Sequence, residues 1–323
     1  MISVVIGTYN RAQMVSEAIH AALAQIQPED EIVVSNDASS DATRAVLRAI
    51  AERHPTVRVF HQEKNSGGVA NWNFAVAQTR GDYIALCSDD DQYSPGHLKS
   101  SLEYLRAHPR IGMVHSSFID LIEKRDSCVM APRPLRADGP LIVDRRNLLS
   151  YLIRYYDWPF HPSTIVMRRE VWNRVGPFDH TFELTDTDWF VRAAELFPVT
   201  MLPRHGVVNR RHAGNWSNRM GSAQMQREIF QIVERYILRR WVRGPQRSAW
   251  QAAWRANVRL RLLLTVHARL KTGHAHAALS SWEALCQGTG CSVPAAIQRA
   301  GAAVLRAWSS YRDFHPPESV SPL

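Results

Sequence analysis

The first hundred residues alternate between two hydrophobic patterns. Short runs of β-branched and apolar residues alternate with longer segments whose apolar residues recur every three or four positions. The first pattern is typical of buried strands and the second of amphipathic helices. Strands are predicted over 2–8, 30–37, 57–62 and 83–88, and helices over 12–25, 41–54 and 68–80. This alternation indicates βαβ units, so we predict an α/β fold: a mostly parallel, doubly wound sheet with helices on both faces.

The pattern becomes less regular after about residue 110. The segments that follow are a strand (111–122), an irregular hairpin-forming insertion (128–142), a helix (145–155), a strand (163–169), a helix (183–197) and a strand pair that runs into a loop (199–217). Beyond about residue 222, apolar residues recur at the spacing of amphipathic helices until near the end of the chain. We therefore predict a globular domain over 1–220, with parts 1–110 and 111–220, and a helical C-terminal extension over 221–323.

Polar residues follow all four strands of the first hundred residues. The segments are TYNR (8–11), SNDASSD (35–41), EKNSGG (63–68) and SDDDQ (88–92). Parallel α/β sheets bind ligands beyond the carboxyl ends of their strands, so these segments should line one cleft. No glycine-rich phosphate loop follows the first strand, which argues against a dinucleotide-binding dehydrogenase or a P-loop enzyme.

Charge divides the chain into two parts. Residues 201–323 hold 18 Lys/Arg and 5 Asp/Glu, a net charge of +13, whereas residues 1–200 have a net charge of −4. A basic region of this kind suits an anionic surface or ligand, but no nucleic-acid-binding module is recognisable, so we expect no nucleic-acid partner. An apolar stripe runs through it at Trp254, Val258, Leu262, Val266 and Leu270. The stripe either packs on the globular domain or lies at an anionic membrane surface.

Cysteine usage and the chain's apolar segments indicate a compartment. Four cysteines in 323 residues do not form a disulfide framework, and the start of the chain lacks the basic and apolar regions of a signal peptide. No run of about 18 apolar residues predicts a membrane span. We therefore expect a cytoplasmic protein with reduced thiols, located at the inner face of the cell membrane if the basic helices bind lipid.

Three consecutive aspartates, Asp89, Asp90 and Asp91, directly follow the apolar strand residues YIAL (83–86). Adjacent carboxylates repel one another, so their position at a strand end needs an explanation. One explanation is a solvated turn in which an aspartate caps a helix opened by Pro95. The other is a divalent cation, because Mg²⁺ and Mn²⁺ bind carboxylate oxygens together with substrate phosphates. Without the cation, the second explanation leaves the repulsion unrelieved.

Five motifs in order resemble family 2 inverting glycosyltransferases. They are VVIGTYNR, EIVVSNDASSDAT, KNSGG with a following asparagine, GDYIALCSDDDQYSP, and GPFD followed by TDTDWFVR, and they extend over roughly 1–215. The resemblance implies a GT-A fold and a nucleotide-sugar donor linked to UDP, dTDP or GDP. It also implies Mg²⁺ or Mn²⁺ as cofactor and a glycan or lipid-linked acceptor in surface polysaccharide synthesis. Residues 1–110 would then bind the nucleotide and residues 111–220 the acceptor.

The resemblance also assigns residues to the donor and metal sites. Donor-binding residues would be Thr8, Tyr9, Asn10, Arg11, Asp37, Asn65, Gly67 and Asp89, and metal-binding residues would be Asp90, Asp91 and His212. Arg210 or Arg211 would lie near the diphosphate. Two positions depart from the family pattern, because Ser88 replaces its first acid and Trp72 replaces a frequent arginine. Asp37 as a turn residue and His212 as a surface histidine remain alternatives.

The motif TDTDWFVR contains two candidate bases. The resemblance aligns Asp186 with the catalytic aspartate and places Thr185 where a glutamate is usual. Asp188 lies two residues further along, and either aspartate could merely stabilise a helix N-terminus. The segment HPST (161–164) would face the acceptor. A general base near the acceptor hydroxyl is what displacement at an anomeric carbon requires.

Two other functions fit parts of the pattern. A metal-dependent nucleotidyl- or phosphoryl-transfer enzyme would use strand-end carboxylates, but TYNR offers only Arg11 as a phosphate ligand. A non-catalytic GT-A-like adaptor would use its tail to bind a membrane or a partner, and it would have no need of Asp90 or Asp186. A glycosyltransferase accounts for more of these residues than either alternative.

Overall fold

A computed structural model describes residues 1–124, 127–135, 137–148, 151–152, 161–215 and 222–235, with three further residue pairs between 244 and 252. The chain divides into two compact units, Met1–Ala213 and Gly214–Leu323. The second unit contributes one described helix, α7 (Ser222–Val233). The apolar stripe that begins at Trp254 lies outside the described residues, as does most of the helix predicted over 145–155. No helix in the described part of the chain is long and apolar enough to cross a bilayer.

The first unit contains ten strands and six α-helices among its described residues. In chain order they are β1 (Ile2–Thr8), α1 (Ala12–Leu23), β2 (Glu31–Asn36), α2 (Thr43–Arg53), β3 (Val57–His61), α3 (Gly68–Ala77), β4 (Tyr83–Leu86), β5 (Gln92–Tyr93), α4 (His97–Ala107), β6 (Met113–Lys124), β7 (Ser127–Pro132), β8 (Leu141–Val143), β9 (Val166–Arg168), α5 (Arg169–Val175), α6 (Thr185–Leu196) and β10 (Val199–Arg211). The strands and helices predicted for the first hundred residues are confirmed, with ends that differ by up to three residues.

One sheet contains all ten strands, along the order β3-β2-β1-β4-β9-β6-β10-β5, with β7 beside β6 and β8 beside β10. The first four strands are parallel, as predicted. Beyond β4 the sheet is mixed, because β9 runs antiparallel to both its neighbours whereas β6 and β10 are parallel. Thr8 pairs with Asn36 at the carboxyl ends of β1 and β2. The polar segments that follow these strands therefore start at one edge.

Helices cover both faces of the parallel part, as the apolar pattern predicts. On one face, alternate residues of β1 (Ile2, Val4 and Ile6) form a buried cluster with residues of α1, α2 and α4. On the other face lies α3, since a Cβ on Gly7 would meet the side chains of Asn71 and Trp72. Full burial of aliphatic side chains contributes about 1.5–3 kcal/mol each, so both layers stabilise the edge on which the polar loops begin.

Beyond residue 110 one prediction is confirmed in part and one is corrected. The insertion over 128–142 does form a hairpin, since β7 pairs antiparallel with β6, but this pairing is regular and the chain continues to β8. The strand pair predicted over 199–217 is wrong, because one strand, β10, runs unbroken from Val199 to Arg211. Its register against β6 shifts on both sides of His205, and these irregularities divide its apolar pattern. Gly206 lies there because an added Cβ would stand 2.2 Å from Nδ1 of His97.

Candidate active site

The loops after β1 and β2 are joined to each other. Asn10 accepts a hydrogen bond from the backbone of Ser40 (2.8 Å), and its own backbone N–H donates to Oγ of Ser39 (2.8 Å). Asn10 and Ala38 have positive φ angles of 53° and 57°, a conformation that asparagine adopts more readily than most residues. Beside them Tyr9 is 46% exposed. The TYNR segment thus forms a rigid rim with one accessible aromatic ring.

Asp37 is buried beneath this rim and holds the loop after β3. One carboxylate oxygen accepts hydrogen bonds from the backbone and hydroxyl of Ser66 (2.8 and 2.9 Å), and the other accepts from the backbone of Gly67 (2.9 Å). Gly67, at φ 86°, also donates to the side chain of Asn65 (3.1 Å). The structure therefore brings Asp37, Asn65 and Gly67 together, and three of the bonds that Asp37 can accept are already made within the protein.

The carboxylate of Asp89 accepts hydrogen bonds from residues at the end of β1 and just after it. Its two oxygens accept hydrogen bonds from Thr8 Oγ1 (2.7 Å) and Arg11 Nη1 (2.8 Å). Burial nonetheless raises the pKa of Asp89 to about 6, because the effect of Arg11 is weaker and Asp90 adds repulsion. Thr8, Arg11 and Asp89 are thus in contact, as three members of one predicted donor site should be.

Asp90 contacts the side chains of Arg11 and His212. Its Oδ2 accepts a hydrogen bond from the same Arg11 nitrogen (2.6 Å) and lies 3.2 Å from Nε2 of His212. Burial lowers the pKa of Arg11, but Asp89 and Asp90 raise it more, so that it is above its ordinary value. The expectation that the aspartates repel one another unrelieved without a cation is therefore wrong: Arg11 partly neutralises two of them.

Asp91 is turned away from its neighbours. One oxygen accepts a hydrogen bond from Ser163 Oγ (2.5 Å) and lies 3.2 Å from Nδ1 of His161, and the other accepts from the backbone of Arg210 (3.2 Å). The carboxyl is almost fully buried, which raises its pKa although His161 opposes the shift. Asp91 thus fastens the loop to the HPST turn and to β10.

The residues fit a metal ion in part. Within the described residues, no three His, Cys, Asp or Glu side chains converge as metal ligands, so the predicted set of Asp90, Asp91 and His212 is not assembled. Asp90 and His212 alone do fit, since two ligands at about 2.1 Å and right angles lie roughly 3 Å apart. An oxygen–nitrogen separation of 3.2 Å matches that spacing. Diphosphate oxygens and water would complete the coordination, and Asp91 would only position the loop.

Asp186 lies in the first turn of α6, close enough to His161 for an electrostatic interaction. Its carboxylate accepts a hydrogen bond from the backbone of Thr187 (2.7 Å), and the residue is half-buried. Desolvation raises the pKa of Asp186, and the Thr187 bond and the charge of His161 oppose this only in part. A carboxyl with a raised pKa is better suited to accept a proton than a fully solvated one. His161 therefore links the surroundings of Asp91 to those of Asp186.

Asp188 has different surroundings. It is 1% exposed, and its Oδ2 accepts a hydrogen bond from Nε of Arg192 (2.9 Å), one helical turn further along α6. The same guanidinium donates to the backbone carbonyls of Val175 and Pro177. Asp188 is therefore part of the packing between α5 and α6, and it is poorly placed to reach an acceptor.

The two arginines expected near the diphosphate have different surroundings. The side chain of Arg210 forms ion pairs with Glu17 of α1 and with Glu123 of β6 (3.4 Å to the latter). Arg211, the last residue of β10, is exposed. The backbone of Arg210 thus holds Asp91 and its side chain pairs with α1, while its proximity to a diphosphate stays a prediction.

Two contacts of the site were not predicted from the sequence. The segment HPST was expected to face the acceptor, but no local pattern indicates the hydrogen bond of its Ser163 to Asp91 across 72 positions. Arg192 could have been found, because an aspartate and an arginine four residues apart on a helix are neighbours on its surface. That spacing already distinguishes Asp188 from Asp186.

Comparisons with known proteins identify the family and the fold. The family model for glycosyl transferase family 2 matches residues 3–175. An uncharacterized glycosyltransferase of Bacillus subtilis, YwdF, is 30% identical over 210 residues, which are 64% of this chain and 73% of that protein. A second, from Nostoc sp. PCC 7120, is 31% identical over 182 residues, which are 55% of this chain and 54% of that protein. The chain therefore spans only about half of some curated relatives.

Solved structures show the same fold. Residues 1–349 of S. aureus TarS superpose with a TM-score of 0.61 at 17% identity, covering 98% of this chain and 93% of that one. A mannosyltransferase of Pyrobaculum calidifontis superposes with a TM-score of 0.57 at 18% identity, covering 98% and 88%. The family model alone covers more than half of the residues, and so the chain belongs to glycosyl transferase family 2, a family of glycosyltransferases.

Proposed function

We propose that the chain transfers a hexosyl or related sugar from a nucleotide-sugar donor to a hydroxyl of a glycan or lipid-linked acceptor, with inversion at the anomeric carbon. The observation that carries the proposal is that two carboxylates, Asp91 and Asp186, both interact with His161. Asp91 fixes the strand-end loop that presents Asp90, and Asp186 is half-buried in the first turn of α6. A donor site and a base that share one neighbouring side chain suit a displacement reaction between two bound substrates.

The donor would bind along the rim formed by the loops after β1, β2 and β3. Tyr9 offers an exposed aromatic face for the base, and Asp37 with Asn65 and Gly67 shapes the pocket below it. Thr8 and Asp89 would lie beside the ribose, and Arg11 beside the diphosphate. Related folds support a nucleotide-sugar donor, since structures of TarS contain UDP-GlcNAc or UDP and that of the mannosyltransferase contains GDP-Man and Mn²⁺.

Asp90 and His212 would hold a divalent cation, Mg²⁺ or Mn²⁺, together with phosphate oxygens of the donor. When bound, the ion supplies charge stabilisation for the departing diphosphate. Asp91 contributes by holding the loop through Ser163 and the backbone of Arg210. The protein thus provides two ligands, and the donor provides others.

Asp186 would act as the general base. The oxygen of the acceptor hydroxyl attacks the anomeric carbon, the bond from that carbon to the phosphate oxygen breaks, and the nucleoside diphosphate leaves with the electron pair. The hydroxyl proton moves to Asp186, whose pKa is raised by desolvation. One displacement inverts the configuration of the sugar, and no second nucleophile is needed.

A panel of UDP-, dTDP- and GDP-linked sugars tests the proposal. Hydrolysis or transfer with Mn²⁺ should occur for one nucleotide class and should be lost in Asp186→Asn. Proton NMR of the first-formed product should show the anomeric configuration opposite to that of the donor. Retention of configuration would exclude inversion, and inactivity toward every donor would favour the non-catalytic adaptor instead.

The acceptor class and the basic C-terminal region can be tested together. A lipid-linked acceptor in surface polysaccharide synthesis would place the enzyme at the inner membrane face, and the net charge of +13 over 201–323 suits anionic lipid. Co-sedimentation with anionic vesicles, weakened by salt and by Arg255→Glu with Arg259→Glu, would support that location. Absence of binding at low salt would leave packing on the globular domain as the role of the apolar stripe.

A further inference from the structure

Arg11 occupies the place of a cation in the strand-end site. One nitrogen, Nη1, is shared between Asp89 Oδ1 at 2.8 Å and Asp90 Oδ2 at 2.6 Å. The two carboxylate side chains are each about 10% exposed, and that of Arg11 is 24% exposed. Charges in such surroundings interact more strongly than they do in water. Arg11 is therefore an internal counter-ion of a site that attracts cations.

The position of His212 shows that Arg11 would compete with a metal ion for one oxygen of Asp90. The Asp90 oxygen that accepts from Arg11 is the same Oδ2 that lies 3.2 Å from Nε2 of His212. Any metal held by Asp90 and His212 must share this oxygen with the guanidinium or displace it. Two cations on one carboxylate oxygen repel each other, so the contact with Arg11 opposes binding of a metal alone.

We propose that Arg11 couples metal binding to nucleotide binding: it holds Asp90 until the donor diphosphate offers the guanidinium another anion, and only then does the metal bind tightly. This rests on the proposed function and deepens it. Arginine suits such an exchange because it pairs with both carboxylate and phosphate oxygens. Arg11 is thereby a residue that sets the order of assembly of the donor site.

The proposal predicts how strongly metal binding and nucleotide binding affect each other. If metal and nucleotide assist each other, each raises the affinity of the other by the same factor, typically about 5- to 150-fold. Replacing Arg11 by a neutral residue removes the competitor for Asp90 and also removes a diphosphate ligand. In Arg11→Gln, Mn²⁺ should bind about tenfold more tightly without nucleotide, UDP, dTDP or GDP should bind more weakly, and the mutual factor should fall by about tenfold.

Isothermal titration of the full chain with Mn²⁺, with UDP, dTDP or GDP, and with both tests this without a measurement of activity. Arg11→Lys keeps the positive charge and should resemble the wild type in its weak affinity for Mn²⁺ alone. Arg48→Gln is the matched control, since it removes one arginine charge from an exposed pair with Glu52. Its titrations should equal those of the wild type.

The outcomes separate the two proposals. If the wild type binds Mn²⁺ and nucleotide cooperatively but Arg11→Gln binds Mn²⁺ alone no more tightly, the role of Arg11 is refuted and the proposed function stands. If the wild type binds none of UDP, dTDP and GDP with Mn²⁺, both proposals fail.

Should Arg11→Gln not fold, the wild type still provides a test. The guanidinium NMR signal of Arg11, assigned by its loss in Arg11→Lys, should shift with Mg²⁺ and nucleotide together and change little with Mg²⁺ alone. A signal that is unchanged at saturation with both would overturn the proposal.

Discussion

The loop over 88–91 and the turn over 185–188 are similar in sequence and different in construction. Each contains closely spaced aspartates, and in each one aspartate is buried with protein partners while another stands nearer the cleft. Asp91 is held by Ser163 and the backbone of Arg210, and Asp188 is held by Arg192. The difference lies in the other aspartate of each segment: Asp90 forms an ion pair with Arg11 and lies beside His212, whereas Asp186 accepts hydrogen bonds from Thr187 and has no arginine partner among the described residues. A carboxylate whose negative charge is balanced by nearby side chains suits ion binding. A carboxylate whose pKa is raised by desolvation suits proton transfer.

The largest effect should come from Asp90. Asp90→Asn removes the carboxylate that Arg11 and His212 share, so Mn²⁺-dependent binding of nucleotide should be lost while the fold is retained. Calorimetry with Mn²⁺ and nucleotide measures this, and circular dichroism checks the fold. If the Mn²⁺-dependent affinity for nucleotide were unchanged, Asp90 would not be a metal ligand, and the proposed difference between Asp90 and Asp186 would be refuted.

Asp188→Asn should act on stability instead of chemistry. It leaves the partly buried guanidinium of Arg192 without its carboxylate partner, which should cost about 1–3 kcal/mol of unfolding free energy. Urea unfolding measures this loss. Folded Asp188→Asn should retain turnover within a fewfold of the wild type, and a variant that folds normally but is inactive would make Asp188 the base.

Asp186→Asn should show the reverse pattern. The change removes the proton acceptor, so turnover should fall by roughly 100-fold or more, while nucleotide affinity and the unfolding midpoint change little. Steady-state kinetics and calorimetry on the same preparation check both statements. Equal losses of turnover and nucleotide affinity would show that Asp186 serves donor binding.

A smaller effect on stability is expected from protonation of His97, a buried histidine. His97 is fully buried, and both ring nitrogens lack a hydrogen-bond partner among the residues that the structure describes. Burial, with a contribution from Arg204, lowers the pKa of His97 to about 3; the groups around it are Tyr93, Ser101, Ser116 and Gly206. The folded state therefore resists a proton that the unfolded chain accepts near pH 6.5.

The stabilising effect of neutral His97 is complete above pH 6.5 and is lost as the pH falls toward 3. At pH 5 it should lower the free energy of unfolding by about 2 kcal/mol relative to pH 8. His97→Phe should reduce this pH dependence in urea titrations, and the exposed His108→Phe should not. An identical slope in all three proteins would show that His97 does not titrate in this range.

The sequence was sufficient for the parallel part of the fold. β-branched runs and helical spacing are local signals, and the positions of β1 to β4 fix the edge on which Thr8, Asp37 and Asp89 meet. The mixed part was harder to predict, because the shifts around His205 interrupt the apolar pattern of β10. Strand direction there depends on pairing with β6 and β9, which are distant in sequence.

The site was predictable in its residue types and less so in their roles. The motif order led to Asp90 and Asp186, but the part played by Asp91 depends on Ser163, which lies 72 residues away in the chain. Arg210 illustrates the same limit, since its position suggests a place near the diphosphate, and no spacing indicates that its side chain pairs with Glu17. Charge partners of this kind follow from the folded arrangement and not from spacing.

The joined loops after β1 and β2 limit how the donor preference could be redesigned. Asn10 bonds the backbone of Ser40, Ser39 bonds the backbone of Asn10, and the backbone of Asp37 donates to the carbonyl of Thr8. A loop grafted from a relative into only one of these positions would lose its counterpart. The two segments should therefore be exchanged together, and a chimera that exchanges both should preserve the rim that is proposed to bind the nucleotide.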